Sequence, residues 1–426
     1  MKLAKRGVVT STVKKIAKDE KVNAERVRNG VAKGKIVVME KGEEVCGIGA
    51  GLRTKVNANV GTSTDFARVE EEVRKVKAAV EAGTDTVMDL STGGNLEAVL
   101  KRIIRASRVP VGTVPVYSAF VNSFKKGELP REEDILKAVE RHMQLGVNFV
   151  TVHAAMRRKG LDLTKSRIMR IVSRGGCMLA AWMMKNEKEN PLYTNFDYLL
   201  ELAEDRDVIL SLGDALRPGC LSDSTDRAQM HELITQGELV KRAHERNVSV
   251  ICEGPGHVPI EKIEANIMLQ KKICSGAPFY VLGPLVTDIA VGYDHISSAI
   301  GGAIAAKAGA DFLCVVTPSE HVALPRVEDV VDGVVAMRIA AHAADIAKRM
   351  DNEVDLEMSK ARAELDWRKQ FDCAIYDKKA REYRKKRGSR SRACSMCGDY
   401  CAIKIMKELE GVSAHSKDEQ YRPGKH

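Results

Sequence analysis

The chain has 426 residues, of which 44% are hydrophobic and 30% charged, and its formal net charge is +10. This length and composition are typical of a soluble enzyme with one large α/β domain plus extensions. With no run of 18 apolar residues and no apolar stretch after the first residues, we expect neither a membrane partner nor a signal peptide. Ten scattered cysteines favour a reducing, cytoplasmic location over a disulfide framework.

The first 80 residues are interpreted as an N-terminal α/β domain. They include a glycine-rich stretch, Gly47-Ile-Gly-Ala-Gly-Leu-Arg-Thr-Lys-Val-Asn-Ala-Asn59, that leads into a strand-like segment. Glycine-rich turns are common, so this stretch alone is weak support for phosphate binding.

Residues 81–350 repeat one pattern, a short β-rich run followed by a mostly helical connection. Eight such alternations predict a (β/α)₈ barrel as the catalytic domain. A doubly wound open sheet is the alternative, but no G-x-G-x-x-G follows the first run. The eight predicted strands are Thr86–Ser91, Val109–Tyr117, Phe149–Ala154, Ile171–Gly175, Val208–Asp214, Val250–Gly254, Phe279–Gly283 and Phe312–Thr317.

The ends of these strands carry acids, bases and anion-binding groups, as the active-site rim of such a barrel would. Among these groups, Arg174 and Arg217 suit the binding of a phosphate or a carboxylate. The alternative is that they form structural salt bridges. His257 and His321 lie in loops that open onto the same rim. They could share a divalent metal, or each could bond only to a neighbouring loop. The full set is Met88, Asp89, Ser91, Tyr117, His153, Ser173, Arg174, Asp214, Arg217, Glu253, His257, Tyr280, Glu320 and His321.

Residues 351–426 are predicted to form a helical arm and a cluster-binding tail. Between Lys378 and Arg392 nine Lys or Arg accompany one acid. With Tyr383 as its one aromatic residue, this segment favours a solvated linker over a nucleic-acid contact.

Three cysteines follow within eight residues, in Cys394-Ser-Met-Cys397-Gly-Asp-Tyr-Cys401. Three thiolates could hold a [4Fe–4S] cluster with one open iron, which favours redox or radical chemistry. The alternatives are a zinc site completed by His415, or unligated surface thiols.

Taken together, the motifs resemble the phosphomethylpyrimidine synthase family of radical S-adenosylmethionine enzymes. The resemblance extends in order over nearly the whole chain. It rests on Lys-Val-Asn-Ala-Asn59, Met88-Asp-Leu-Ser-Thr-Gly, Gly-Thr-Val-Pro-Val-Tyr117, Ser-Arg-Gly-Gly, Leu-Gly-Asp-Ala-Leu-Arg-Pro-Gly, Glu-Gly-Pro-Gly-His257, Gly-Ala-Pro-Phe-Tyr280-Val-Leu-Gly-Pro and Cys-Ser-Met-Cys.

The resemblance implies a lyase that converts 5-aminoimidazole ribotide into 4-amino-5-hydroxymethyl-2-methylpyrimidine phosphate for thiamine biosynthesis. It implies zinc at His257 and His321, a [4Fe–4S] cluster at Cys394, Cys397 and Cys401, and S-adenosylmethionine. It further implies a homodimer, and we expect an electron donor such as flavodoxin or ferredoxin. Glu253 and His153 would be the catalytic proton-transfer or orienting groups. The implied ribotide pocket is Asn59, Met88, Tyr117, His153, Ser173, Arg174, Gly175, Asp214, Ala215, Leu216, Arg217, Glu253 and Tyr280.

Three positions differ from the usual family pattern: Ser118, Ala155 and Val291. The resemblance also covers the 5-hydroxybenzimidazole synthases, which use the same ribotide and cofactors to make a vitamin B12 lower-ligand base. The pyrimidine phosphate is the expected product, and 5-hydroxybenzimidazole is the alternative.

Overall fold

The structure is a computed structural model that describes residues 1–348, 352–387 and 392–409. The chain divides into two compact units, Met1–Lys348 and Arg349–His426. Within the described residues, no helix is both long and apolar enough to cross a membrane.

The first unit begins with three short helices and a hairpin. Thr10 and Asn23 start the second and third helices by accepting bonds from backbone N–H groups, as N-cap residues do. The hairpin strands pair antiparallel from Ile36↔Gly49 to Lys41↔Glu44. Their apolar faces form a small core with the helices. The elements are α1 (Lys2–Lys5), α2 (Ser11–Asp19), α3 (Ala24–Ala32), β1 (Ile36–Lys41) and β2 (Glu44–Gly49).

Eight parallel strands then form a closed barrel, because β10 pairs with both β9 and β3. This confirms the predicted (β/α)₈ architecture. The strands are β3 (Lys55–Val60), β4 (Thr86–Asp89), β5 (Val111–Thr113), β6 (Phe149–Val152), β7 (Ile209–Leu212), β8 (Val250–Gly254), β9 (Phe279–Leu282) and β10 (Phe312–Cys314).

One predicted strand is wrong, and one strand of the barrel lies before the region predicted to form it. Residues Ile171–Gly175 form no strand; they lead into a helix that begins at Arg174 with Ser173 as its N-cap. Because β6 pairs directly with β7, no strand position exists between them. The first barrel strand is instead β3, within the stretch that the sequence assigns to the N-terminal domain.

Helices surround the barrel and connect its strands. They are α4 (Val69–Glu81), α5 (Leu96–Ala106), α6 (Pro115–Phe124), α7 (Glu132–Gln144), α8 (Arg158–Leu163), α9 (Arg174–Asn186), α10 (Pro191–Thr194), α11 (Phe196–Arg206), α12 (Arg227–Glu245), α13 (Ile260–Ile273), α14 (Asp294–Ala308) and α15 (Val327–Ala347). Short 3₁₀ turns lie at Thr164–Ser166 and Leu221–Asp223.

Strand β3 turns polar side chains into the barrel interior. Asn57 Nδ2 donates to the Tyr280 hydroxyl on β9 at 2.7 Å, although β10 lies between those two strands. Asn59 Nδ2 reaches the Cys314 thiol on β10 at 3.1 Å. The alternate residues Val56 and Ala58 are fully buried on the opposite, helix-facing side. The interior of the barrel is therefore held partly by hydrogen bonds.

At the start of β3, a buried ion pair ties the barrel to the N-terminal layer. Lys55 Nζ lies 2.7 Å from Glu20 Oε1, and both side chains are 3% exposed. Arg53 adds a backbone and a side-chain bond to the same carboxylate. Burial alone would raise the pKa of Glu20, but Lys55 and Arg53 together hold it below its usual value.

The second unit is helical where it is described. Trp367 Nε1 donates to the Arg392 carbonyl at 2.7 Å, and the Arg384 guanidinium lies 3.8 Å from the centre of the indole. Its elements are α16 (Glu353–Ala363), α17 (Trp367–Asp372), α18 (Asp377–Lys386), a 3₁₀ turn at Gly398–Tyr400 and a helical segment at 402–409.

We predict that Glu20→Gln lowers the free energy of unfolding by about 3–5 kcal/mol, because it leaves Lys55 buried without its counter-charge. Since the pKa of Glu20 is lowered, this stabilisation is present at neutral pH and is lost as the pH falls through the folded-state pKa. Urea denaturation at pH 7 measures it. The exposed Glu25→Gln is the matched control and should cost less than about 1 kcal/mol. Equal stability of the two variants would contradict the prediction.

Candidate active site

His153 directly follows β6 and is buried, with 3% of its surface exposed. Its Nε2 lies 3.2 Å from the Ser173 hydroxyl, which also caps α9 by accepting a bond from the Gly176 N–H. Burial, helped by nearby Arg217, lowers the pKa of His153 to about 3. The imidazole is therefore neutral at physiological pH. Its buried Nδ1 has no hydrogen-bond partner among the described residues, which leaves one ring nitrogen for a ligand.

Two glycines form a narrow slot for this ring. A Cβ at Gly175 would lie 2.5 Å from His153 Cε1, and a Cβ at Gly213 would lie 2.8 Å from His153 Cδ2. Both distances are shorter than real carbon contacts, so no other residue fits at either position without moving the imidazole. The predicted pocket includes Gly175 but not Gly213. The signal that could have found Gly213 is its place in the motif Leu-Gly-Asp214.

Asp214 and Arg217 lie on the turn after β7 and pair with each other at 3.0 Å. Burial raises the pKa of Asp214 to about 7, although the arginine opposes the shift. Oδ2 of Asp214 is buried and has no partner among the described residues. Between them, Ala215 and Leu216 are fully buried.

The two rim arginines differ in their partners. Arg217 forms an ion pair with Asp214, which is the structural role that the sequence left open for it. Among the described residues Arg174 has no ion pair. It is exposed, with its guanidinium 5.2 Å from the centre of the Tyr117 ring. Tyr117 itself is buried on α6, and this burial raises the pKa of its hydroxyl. Arg174 is thus the arginine available to an anionic ligand.

Glu253 lies near the end of β8 at the floor of the rim. Its Oε1 accepts bonds from Thr151 and Ser211, each at 2.7 Å, on the two preceding strands. Burial raises the pKa of Glu253, while these two hydroxyl donors oppose the shift. Sequence reasoning missed Thr151 and Ser211, because hydroxyls inside short β-rich runs resemble ordinary strand residues.

The remaining predicted pocket residues lie on the same rim. Asn59 is the register partner of Met88 on the neighbouring strand, and Met88 is buried. Tyr280 accepts the bond from Asn57 and stacks on Phe312 with ring centroids 4.2 Å apart. The carboxyl ends of parallel strands share one edge of a barrel, which explains this convergence.

His257 and His321 form a pair beside this rim. Nδ1 of His257 lies 2.8 Å from Asp288, and Nδ1 of His321 lies 3.3 Å from Asp294. Carboxylates in this position orient metal-binding histidines and leave Nε2 for the metal. With a Zn–N distance of about 2.1 Å and a tetrahedral angle, two imidazole centres would be roughly 5.2 Å apart. The observed centroid separation is 5.3 Å.

The pair alone is an incomplete metal site. Within the described residues, no group of three or more His, Cys, Asp or Glu is arranged to hold a metal ion. Any metal there would take further ligands from water or substrate. No spacing in the sequence points to Asp288 and Asp294, which lie far from both histidines along the chain.

Cys394, Cys397 and Cys401 lie on one compact turn of the second unit. The Gly398 N–H donates to the Cys394 carbonyl at 2.9 Å, and Gly398 takes a φ of +53° that favours glycine. Backbone N–H groups of Cys397 and Met396 lower the pKa of the Cys394 thiol. Donors aimed at a sulfur favour the thiolate that an iron would need. His415, the alternative zinc ligand, lies outside the described residues.

The three atypical positions differ in their surroundings. Ser118 bonds to Nε2 of His142 at 2.8 Å, and Val291 lies 58% exposed on a loop. Only Ala155 is fully buried, two residues after His153. The case for an altered pocket therefore depends on Ala155.

Comparisons with known proteins find relatives that match nearly the whole chain. The model of the radical SAM ThiC family matches residues 1–408. The chain is 55% identical over 419 residues to the phosphomethylpyrimidine synthase of Methanopyrus kandleri, covering 95% of this chain and 97% of that one. It is 51% identical over 426 residues to the enzyme of the same name from Pyrococcus furiosus, covering 98% and 99%. This chain belongs to the radical SAM ThiC family.

We predict that Gly213→Ala impairs ligand binding and turnover by about 100-fold, because displacing a site group by about 1 Å costs that much. Ribotide titration and product assays measure the effect. Gly146→Ala is the control for the clash, because a Cβ there meets nothing within 4 Å, and any effect of that variant comes from the positive φ of Gly146. Unchanged binding and turnover in Gly213→Ala would show that the position of His153 is unimportant.

Proposed function

We propose that this chain is a phosphomethylpyrimidine synthase, a carbon–carbon lyase that rearranges 5-aminoimidazole ribotide into 4-amino-5-hydroxymethyl-2-methylpyrimidine phosphate. The observation that carries the proposal is near-complete, 50–55% identical alignment with relatives of that name. The convergence of the pocket residues on one barrel rim supports it.

The ribotide would occupy the carboxyl end of the barrel. Arg174, which has no carboxylate partner among the described residues, and the first turn of α9 suit its phosphate. His153 Nδ1 and Asp214 Oδ2 are buried polar atoms that have no hydrogen-bond partner within the described part of the chain. A buried polar atom is costly unless it is hydrogen-bonded, so a polar ligand at these two atoms would remove that cost.

Three groups at this rim suit proton transfer. His153 is neutral and can accept or donate at one ring nitrogen. Asp214 has a pKa of about 7, and the raised pKa of Glu253 favours its protonated form. A group with a pKa near the working pH is the most efficient acid or base. We assign proton transfer or substrate orientation to Glu253 and His153, and we assign proton donation to Asp214 as well.

The turn of Cys394, Cys397 and Cys401 would hold the [4Fe–4S] cluster with one iron open to S-adenosylmethionine. When bound, the cluster supplies one electron that cleaves the sulfonium of S-adenosylmethionine and starts radical chemistry. The backbone donors around Cys394 support this assignment, since they favour its thiolate.

We assign zinc to His257 and His321. Their carboxylate partners and their centroid separation support a shared ion, with its other ligands from water or substrate. The metal would act as a binding and orienting centre beside the ribotide pocket.

We further propose a cytoplasmic homodimer that takes electrons from flavodoxin or ferredoxin. All ten cysteines are unpaired, which suits a reducing compartment. The family relationship supports the dimer and the donor.

Product analysis tests the main assignment. The reconstituted protein, incubated with aminoimidazole ribotide, S-adenosylmethionine and a reductant, should yield a phosphorylated pyrimidine, detected by mass spectrometry. The names of the relatives favour this product over the alternative, 5-hydroxybenzimidazole. A fluorescent benzimidazole without pyrimidine would overturn the proposal.

We predict that Cys394→Ala abolishes 5′-deoxyadenosine formation and lowers bound iron, while the barrel keeps its unfolding midpoint, because Cys394 lies in the separate second unit. Iron analysis, absorbance and urea denaturation measure these outcomes. Cys373→Ala, in the same unit but outside the motif, is the matched control and should keep its iron. Turnover by Cys394→Ala would disprove the cluster assignment.

We also predict that His257→Ala lowers bound zinc several-fold without lowering bound iron. Elemental analysis after dialysis measures both metals. His142→Ala serves as the control, since His142 is a buried histidine whose ring bonds to Thr113 and Ser118 and not to the pair of His257 and His321. Equal zinc in His257→Ala and the wild type would contradict the assignment.

A further inference from the structure

A small polar cavity lies behind the ribotide rim, on the helix side of Asp214. It has a volume of about 20 Å³. A cavity of roughly 10–15 Å³ measured with a water-sized probe is enough for one water molecule, provided that polar partners are present. Six of its lining residues are polar or charged: Asp214, Arg217, Gln229, Glu232, Glu253 and Asn266.

Glu232, on α12, is a lining carboxylic acid that has no role in the site described above. Its side chain is buried, and its Oε2 accepts a bond from the Leu216 N–H at 2.7 Å, which anchors the turn that carries Asp214. Its Oε1 is buried and has no partner among the described residues. Asp214 Oδ2, which also has none, belongs to a residue that lines the same cavity.

Other polar lining groups are already satisfied. Gln229 accepts a bond from Thr225 and donates to Asn266, while Asn266 donates to Thr225 and to a backbone carbonyl. One water between Asp214 and Glu232 would therefore find its partners in the two unpartnered carboxyl oxygens. Buried waters occupy sites of this kind.

We propose that Glu232 and one water in this cavity form a proton relay that resupplies Asp214 during turnover. Glu232 is a positioning residue, since it reaches the substrate only through Asp214. The inference rests on the proposed function, because it needs a ribotide at the rim to receive the proton.

The proton balance is simple. Asp214 gives its proton to the substrate and becomes a carboxylate. The O–H bond of Glu232 then breaks, and the water passes that proton to Asp214. The negative charge moves to Glu232, where the Leu216 N–H stabilises it. Solvent water reprotonates Glu232 before the next turnover.

The surrounding charges favour a protonated Glu232 before the transfer. Burial is the main cause that raises the pKa of Glu232 well above its usual value, and Asp214 adds to it. Arg167 acts in the opposite direction, and it is committed to the Leu216 carbonyl and Asp226. On the other side of Asp214, Arg217 lowers the pKa of this residue, whereas Glu253 raises it.

The variant Glu232→Gln tests the relay. An amide keeps an oxygen for the Leu216 N–H and an N–H in place of the carboxyl proton, but it cannot transfer that proton. We expect kcat to fall about 10²-fold, as for loss of one acid–base group, with KM within about twofold. Glu238→Gln, exposed on the same helix, is the control and should match the wild type. An unchanged kcat in Glu232→Gln would overturn the proposal.

Infrared difference spectroscopy supplies a readout that does not depend on turnover. The protein without cofactors should show a protonated-carboxyl band at pH 7 that shifts in D₂O and loses one component in Glu232→Gln but none in Glu238→Gln. A spectrum in which Glu232→Gln keeps the full band would disprove the relay. Absence of pyrimidine from the wild type would instead disprove the proposed function, and the band would still report on Glu232.

Discussion

The pairing of β10 with β3 is the constraint on which the rest of this molecule depends. It closes eight strands into a barrel, so residues from distant parts of the chain end at one rim. The pairing is reinforced at both ends. Glu20 and Lys55 hold the start of β3, and Asn59 bonds to Cys314 near its end. Buried polar contacts of this kind are unfavourable unless each partner is satisfied, and here they are.

Most of the architecture could be predicted from the sequence, because β-branched runs alternate with helical connections. The place of the first strand in the barrel could not, although its segment is strand-like. Its Lys55, Asn57 and Asn59 are poor strand formers, and only the closed barrel places them where Glu20, Tyr280 and Cys314 satisfy them. Conversely, Ile171 and Val172 have high strand propensity but no open edge to pair with. In both cases the strand pairing in the folded barrel, and not the local propensity, determines whether the segment is a barrel strand.

The site shows a similar division. Motif resemblance predicted the residues of the proposed pocket, whereas the groups that support them had no recognisable spacing. Thr151 and Ser211 bond to Glu253, Asp288 and Asp294 pair with the two histidines, and Glu232 anchors the turn of Asp214. These contacts join residues that lie 16 to 102 positions apart in the chain, so only folding brings them together.

The slot around His153 has a consequence for how the pocket tolerates change. Its walls are the hydrogen atoms of Gly175 and Gly213, so the ring is located by main chain and not by neighbouring rotamers. Side chains hop between rotamers on short timescales, whereas the ends of packed strands move little. A radical intermediate would then meet an imidazole in a nearly constant place. Repacking elsewhere in the core can leave this geometry untouched.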